Sequence, residues 1–187
     1  MTWFEGISAV SLTLIVVSVA FFDLRERRIP NLIVMPACLL GLTIHTFESG
    51  WSGLLFALKG LGVGFAILLI PYLVKGMKAG DVKFMMAIGS FVGGTTVVRV
   101  LLITLLCYPI LAFVVVMREK KFVVTWLRFR RILFNFLGFF LASFRLYALR
   151  LESDDDPNVA SATTPFGVAI AAGTLIAVYT GFLKSIL

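Results

Sequence analysis

Apolar stretches separated by short charged or Gly- and Pro-containing segments make up most of this chain. Six stretches cover residues 7–22, 32–46, 52–74, 82–92, 95–117 and 164–183. The third is 23 residues long, and about 20 residues suffice for a helix to cross a bilayer. The fourth is too short to cross alone, so it must extend into its flanks or be shielded by neighbouring helices. The pattern predicts an all-α polytopic membrane protein with six transmembrane helices in a single domain, residues 1–187.

Breaker residues divide these stretches. Pro30 disfavours helix at Ile29, which predicts a turn before the second helix. Gly93 and Gly94 close the short fourth stretch. We therefore expect separate helices on either side of each break.

A basic segment, residues 118–150, separates the fifth and sixth stretches. Its apolar part, residues 132–144, is short, closely flanked by Arg residues and interrupted by Asn135. This favours an amphipathic helix in the cytoplasmic interface of the membrane. The alternative is a seventh span, which would move residues 165–167 to the opposite side.

The composition agrees with a membrane protein. Apolar residues make up 60% of the chain and charged residues 14%, and the mean hydropathy is +1.02, which excludes an ordinary soluble globule. The net charge of +7 indicates basic loops against anionic lipid rather than nucleic acid. Two cysteines without a CxxC pair and one histidine, His45, exclude a Cys/His zinc site. We expect no metal and no cofactor.

The distribution of positive charge predicts the orientation. Glu5 precedes the first apolar stretch and a basic cluster follows it, which is the reverse of a cleavable signal peptide. Fourteen of the 17 Lys and Arg residues lie in three loops, residues 25–28, 75–83 and 118–150. The positive-inside rule places these loops in the cytoplasm and the N-terminus outside.

Two acidic residues, Asp23 and Asp81, lie at the predicted cytoplasmic boundary of the membrane, where a carboxylate loses part of its hydration. Each has a simple structural explanation. Asp23 could pair with Arg25 or Arg27, and Asp81 could cap the fourth helix.

Taken together, the two aspartates support a catalytic interpretation. Two carboxyl groups in one desolvated site do not both ionise easily, so one holds a proton while the other is anionic. The anion can activate water and the acid can polarise a carbonyl group. This is aspartic-protease chemistry, which needs neither metal nor histidine.

Three blocks of sequence resemble the type IV prepilin peptidases, a family of GxGD aspartic membrane peptidases. Residues 22–31, Phe-Asp-Leu-Arg-Glu-Arg-Arg-Ile-Pro-Asn, are similar to the family's first-aspartate motif. Residues 79–83, Ala-Gly-Asp-Val-Lys, are similar to its GxGD motif, and residues 164–173, Thr-Pro-Phe-Gly-Val-Ala-Ile-Ala-Ala-Gly, to the segment that opens its last helix. The blocks occur in the family's order and span nearly the whole chain.

The chain has no CxxC-containing cytoplasmic region, so it resembles the short Flp/Tad branch without the methyltransferase. Archaeal preflagellin peptidases are a second short branch. One position departs from the family's motif, because Lys78 stands where the first Gly of GxGD falls. Since Gly allows φ > 0, Lys78 is expected to disfavour that loop geometry, while its charge should favour the anionic form of Asp81.

The resemblance implies a membrane aspartic endopeptidase that cleaves the leader of Flp-type prepilins or pseudopilins at the cytoplasmic face of the bacterial inner membrane. Asp23 and Asp81 would be the catalytic pair. Membrane lipid is an expected second partner, and Lys83 could bind either lipid phosphate or substrate. The residues expected to bind substrate or shape the site are Pro30, Asn31, Gly80, Lys83, Pro165 and Gly167.

Two other functions compete with this one. A small ion-coupled transporter would also hold carboxylates within the membrane, but usually near the midplane and often in a repeated fold. A non-catalytic pilus-assembly protein on the same scaffold is the other alternative, and Lys78 is its support.

Overall fold

The computed structural model describes residues 3–73, 77–119 and 166–186, and the side chains of residues 3–73, 77–111 and 166–180. These ranges contain helices and no strand, which confirms the all-α prediction for the described residues. The helices are α1 (Trp3–Glu26), α2 (Asn31–Leu73), α3 (Ala79–Glu119) and α4 (Phe166–Ile186). The interpretation of residues 118–150 as an interfacial helix lies outside the described residues from position 120 onward, as does Pro165.

Two of the helices contain non-helical residues. In α2 these are Ser49 (φ −132°, ψ 15°) and Gly50 (φ 59°, ψ −132°). In α3, Gly93 has φ 76° and ψ 171°. The positive φ angles of the two glycines are readily adopted only by a residue without a Cβ. The breaks lie between the second and third apolar stretches and directly after the fourth, so each long helix is divided into two parts.

Three helices are long and apolar enough to cross a membrane: Trp3–Glu26, Asn31–Leu73 and Ala79–Leu111. A shorter apolar helix covers Phe166–Thr180. Large apolar side chains are widely exposed on the described helices; examples are Trp3, Leu32, Phe47 and Leu106. Such a surface is costly in water and suits a lipid environment. The chain is therefore a membrane protein, and its described part is all-α.

The C-terminal end of α1 leads into a short loop before α2. The helix runs four residues beyond the apolar stretch 7–22 at its C-terminal side and closes at Arg27, which has φ 53°. The Arg27 N–H donates to the carbonyl oxygen of Asp23 (3.0 Å), a common way to end a helix with a left-handed residue. Residues 27–30 then form the predicted turn, and α2 begins at Asn31.

The core forms around α3, which packs against α2 and α4, whereas α1 packs chiefly on α4 and α2 and touches α3 at few positions. Phe84, Met85 and Ile88 of α3 are fully buried. Gly60 and Gly89 allow the α2 and α3 backbones to meet, because a Cβ on either would clash with the other's carbonyl group. Close contact of small residues is a usual way for helices to associate in lipid.

His45 connects the breaks in α2 and α3. Its Nε2 lies 2.8 Å from the carbonyl oxygen of Phe91, and its Nδ1 lies 3.2 Å from a Glu48 oxygen. Because a carbonyl oxygen only accepts, Nε2 carries a proton. Gly93 interrupts the helix just after Phe91, so His45 supplies a hydrogen bond to the Phe91 carbonyl at the break. This corner lies about 15 Å of helix rise from Asp81.

Candidate active site

Asp23 lies in the last turn of α1 and is buried, with 4% of its surface exposed. Its Oδ2 accepts a hydrogen bond from the backbone N–H of Val168 (3.1 Å), which lies 145 positions later in the sequence. Val168 is the third residue of α4, so its N–H has no partner within that helix. The positive end of the α4 dipole favours an acidic group at this place. The first turn of α4 thus holds the Asp23 carboxyl group.

Asp81 is the third residue of α3 and has 5% of its surface exposed. Its Oδ2 accepts a hydrogen bond from the backbone N–H of Lys78 (3.2 Å), and its own N–H donates to the Lys78 carbonyl oxygen (3.1 Å). This is the helix-capping contact that offered a simple explanation for Asp81. The cap fixes the orientation of the carboxyl group and is compatible with a catalytic role.

The structure brings Asp23 and Asp81 together. Ile29 lies beside Gly80, which precedes Asp81, and beside Gly167, which contacts Asp23. Lys78 also joins the two places, because its backbone N–H donates to Asp81 and its Nζ donates to the carbonyl oxygen of Arg27, one turn after Asp23. The positive charge of Lys78 acts on both carboxyl groups, and that of Arg27 acts on Asp23. Two buried carboxyl groups with shared counter-charges form the kind of pair in which one proton can be held between two acids.

Gly167 allows Asp23 to approach the start of α4. A Cβ at position 167 would lie 2.8 Å from Asp23 Oδ2 and 2.9 Å from Ile29 Cδ1. Gly80 has a similar neighbour, since a Cβ there would lie 3.1 Å from Ile29 Cβ. Both glycines of the expected set therefore lie beside the aspartate pair or the loop that carries it.

Ile29 belongs to the motif of residues 22–31 and to the predicted turn, but it was not among the residues expected to shape the site. It touches both Gly80 at the start of α3 and Gly167 at the start of α4, and it packs against the core. Its signal in the sequence was that of an apolar residue directly after the basic cluster 25–28. Such a residue can anchor a loop, but only the fold shows that Ile29 lies beside the starts of both α3 and α4.

Lys78 stands where the family motif has its first glycine, and its backbone has an ordinary conformation. Arg27 is the only non-glycine residue with a positive φ in the described chain, so position 78 has a conformation open to any L-residue. Its Nζ donates to the carbonyl oxygen of Arg27 (2.7 Å). The expectation that Lys78 disfavours a positive φ at this position agrees with the structure, because the backbone of residue 78 has no positive φ.

Pro30, Asn31 and Lys83 lie at the edge of the site. The carbonyl oxygen of Pro30 accepts hydrogen bonds from the first turn of α2, and Lys83 Nζ donates to Asn31 Oδ1 (3.2 Å). The Asn31–Lys83 contact joins the start of α2 to α3. These contacts give the three residues a role in shaping the loop, and binding of substrate or lipid by them stays a prediction.

The described part of the chain has no obvious set of side chains that could bind a metal ion. Within the ranges 3–73, 77–119 and 166–186, there is no group of three or more His, Cys, Asp or Glu residues that could hold an ion. Cys38 and Cys107 are free thiols. The acid pair is the reactive group that these residues offer.

Comparison with known proteins gives the family. The model of the type IV leader peptidase family matches residues 10–146, which include both aspartates. Neither curated proteins nor solved structures gave a match. The block 164–173 lies beyond the matched residues, yet its Gly167 and Val168 contact Asp23. Since the match covers well over half of the 187 residues, the chain belongs to the type IV leader peptidase family.

Proposed function

We propose that this membrane peptidase is an aspartic endopeptidase that removes the leader of Flp-type prepilins or pseudopilins. Asp23 and Asp81 are its catalytic residues, and the cut is made at the cytoplasmic face of the bacterial inner membrane. The observation that carries this proposal is that two buried carboxyl groups, at the end of α1 and at the start of α3, lie around the same residues, Ile29 and Lys78. Family membership supports the leader-peptidase activity.

The pair can catalyse hydrolysis without a cofactor. The ionised aspartate takes a proton from a water molecule as the water oxygen attacks the scissile carbonyl carbon. The protonated aspartate gives its proton to the carbonyl oxygen, which leaves a neutral tetrahedral diol. When the diol collapses, a proton passes to the leaving amine and the C–N bond breaks. The two acids exchange roles, so neither is assigned as the permanent base.

The position of the pair along the helices supports cleavage at a membrane surface. Asp23 lies three residues before the end of α1, and Asp81 is the third residue of α3. Both therefore lie at helix ends, next to loops rich in Lys and Arg. The breaks at Ser49–Gly50 and Gly93 divide α2 and α3 into two parts each, so the four described helices provide six segments. We assign these as six spans with the N-terminus outside, which puts the pair in the cytoplasmic interface.

This placement also fits the substrate. A prepilin joins a short basic leader to an apolar helix, so its helix can stay in the bilayer while the leader reaches the interface. Membrane lipid lies beside the same surface, where Lys83 can meet a lipid phosphate group or an acidic group of the substrate. No nucleic acid is part of this proposal.

Two observations argue against the alternatives. A transporter is disfavoured because the carboxyl groups lie at helix ends, away from the middle of the spans. A non-catalytic scaffold was favoured only by Lys78, and position 78 has an ordinary backbone conformation with both aspartates present. Neither alternative has a structural feature that requires it.

A processing assay tests the proposal. The chain is co-expressed with a tagged Flp-type prepilin, and loss of the leader is followed by gel shift and by the N-terminal mass of the product. We expect wild type to cleave and Asp23→Asn or Asp81→Asn to abolish cleavage, because either substitution removes one member of the pair.

Glu26→Gln is the matched control. It removes an acidic group from the same turn of α1, but Glu26 is exposed and should leave processing unchanged. All variants are compared at equal amounts in the membrane. Cleavage that survives Asp23→Asn or Asp81→Asn would refute the mechanism, and a wild-type chain that leaves Flp-type prepilins intact would refute the substrate class.

A further inference from the structure

Lys78 is the charged residue of the site whose contacts the chemistry above does not use. It directly precedes α3 and is exposed. Its Nζ reaches back 51 positions in sequence to the carbonyl oxygen of Arg27, at 2.7 Å. Its backbone N–H meets the Asp81 carboxyl group. One residue therefore contacts both the end of α1 and the acidic group of α3.

The geometry of α1 gives this contact its importance. Because Arg27 takes up a left-handed conformation, its carbonyl group leaves the helical path, and it accepts a hydrogen bond from Lys78 outside α1. A cation at the C-terminal end of a helix also interacts favourably with the helix dipole. Since α1 and α3 touch at few positions elsewhere, the Lys78–Arg27 contact is a direct connection between the two helices that carry the aspartates.

We propose that Lys78 is a positioning residue of the active site, which joins the end of α1 to the start of α3 and shares one positive charge between Asp23 and Asp81. This inference rests on the proposed function. It assigns a role to the position at which the chain departs from the family's glycine. Lys78 acts through the two aspartates and is not itself a catalytic residue.

The charged groups around the pair come from α1 and from the start of α3. Arg27 acts on Asp23, and Lys78 acts on both aspartates. The described part of α4, Phe166–Thr180, has no charged side chain, and neither do residues 31–38 at the start of α2. Among the described residues, Lys78 is the positive charge that acts on both members of the pair, so its removal makes the anionic form harder to reach.

Lys78→Gly is the decisive variant because it restores the family's residue. If Lys78 were only a tolerated substitution, glycine would keep or increase the activity. Our proposal predicts the opposite. We expect kcat to fall about tenfold near neutral pH, with KM changed less than about twofold, because the aspartates lose their alignment while leader binding is retained. The pH–activity curve should also move to higher pH, by roughly half a unit to one unit.

Two further variants separate this role from a general effect. Lys78→Arg keeps the charge and the donor, so it should restore most of kcat and the original pH profile. Arg25→Met removes a positive charge from the exposed last turn of α1 and should change neither. Lys78→Gly should also lower the thermal stability in detergent slightly, because it removes the hydrogen bond to Arg27 and adds a glycine. The kcat values are therefore compared at a temperature where all three variants are folded.

The outcomes are distinguishable from failure of the proposed function. If wild type cleaves a prepilin and Lys78→Gly cleaves it equally well with the same pH profile, the positioning role is refuted while the peptidase assignment stands. A fall in activity that Arg fails to rescue, or one without a pH shift, also overturns it. A wild-type chain that never cleaves refutes the proposed function itself, and with it this inference.

Discussion

The Gly167→Ala substitution places a methyl group against the Asp23 carboxyl group. The added Cβ would lie 2.8 Å from Asp23 Oδ2 and 3.0 Å from its Cγ, where ordinary contacts begin at 3.4 Å. Ile29 Cδ1 at 2.9 Å blocks movement on a second side. The carboxyl group must therefore give way or α4 must move back.

The size of the effect follows from these distances. The Oδ2 atom must retreat by about 0.6 Å, which would stretch its 3.1 Å contact with the Val168 N–H to about 3.7 Å, beyond hydrogen-bond range. Misplacing a catalytic group by about 1 Å can cost about 100-fold in rate. We expect kcat for leader cleavage to fall between about tenfold and 100-fold, or roughly 1.4 to 2.7 kcal/mol of transition-state stabilisation.

The assay measures leader cleavage by purified enzyme in lipid vesicles, with the product quantified by mass spectrometry and the thermal stability recorded in parallel. Gly173→Ala is the matched control, because it lies on the same helix and its Cβ would meet the Thr104 backbone at 2.9 Å. Both variants should lose about 1–3 kcal/mol of stability through overpacking. Only Gly167→Ala should lose kcat at a temperature where both are folded.

A Gly167→Ala enzyme with wild-type kcat would refute the claim that the start of α4 positions Asp23. Equal losses of kcat in the two variants would show that the effect comes from α4 packing in general. In that case Asp23 would need another explanation for its burial.

Three further changes test the scaffold around the site. Gly60→Ala should lower the free energy of unfolding by about 1–3 kcal/mol, seen as a lower melting temperature, because the methyl group meets the carbonyl of Gly89. An unchanged melting temperature would contradict the close helix contact. Gly62→Ala, which meets nothing within 4 Å, should be neutral or slightly stabilising in the same melting experiment. His45→Leu should lower the free energy of unfolding by about 1–3 kcal/mol, because it leaves the Phe91 carbonyl without this donor. It should leave kcat unchanged in the cleavage assay. An unaltered melting temperature would show that the His45 contact contributes nothing.

Hydropathy located the helices better than it located their ends. Gly50 and Gly93 fall where the apolar stretches were divided, because glycine readily adopts the positive φ that each break shows. In contrast, α1 extends from Trp3 to Glu26 although its apolar stretch covers residues 7–22. The apolar pattern reports where lipid lies, whereas the end of α1 is set by the left-handed Arg27.

The sequence pointed to the two aspartates because acidic groups are costly at a membrane boundary. It did not reveal the contacts that position them. The Val168 N–H that holds Asp23 and the carbonyl that receives Lys78 are backbone groups 145 and 51 positions away from their partners. A hydrogen bond to a backbone group does not depend on the type of residue that carries this group. The sequence therefore showed Lys78 only as a departure from the family's motif.

The contact between Asp23 and Val168 also ties the site to the order of synthesis. The ribosome makes α1 first and α4 more than 100 residues later. Until the first turn of α4 is present, the Asp23 carboxyl group has neither the Val168 N–H nor the Gly167 surface against it. A nascent chain therefore carries both acids before it carries the group that aligns one of them. Hydrolytic capacity should thus arise only when α4 has been inserted, later than α1, α2 and α3.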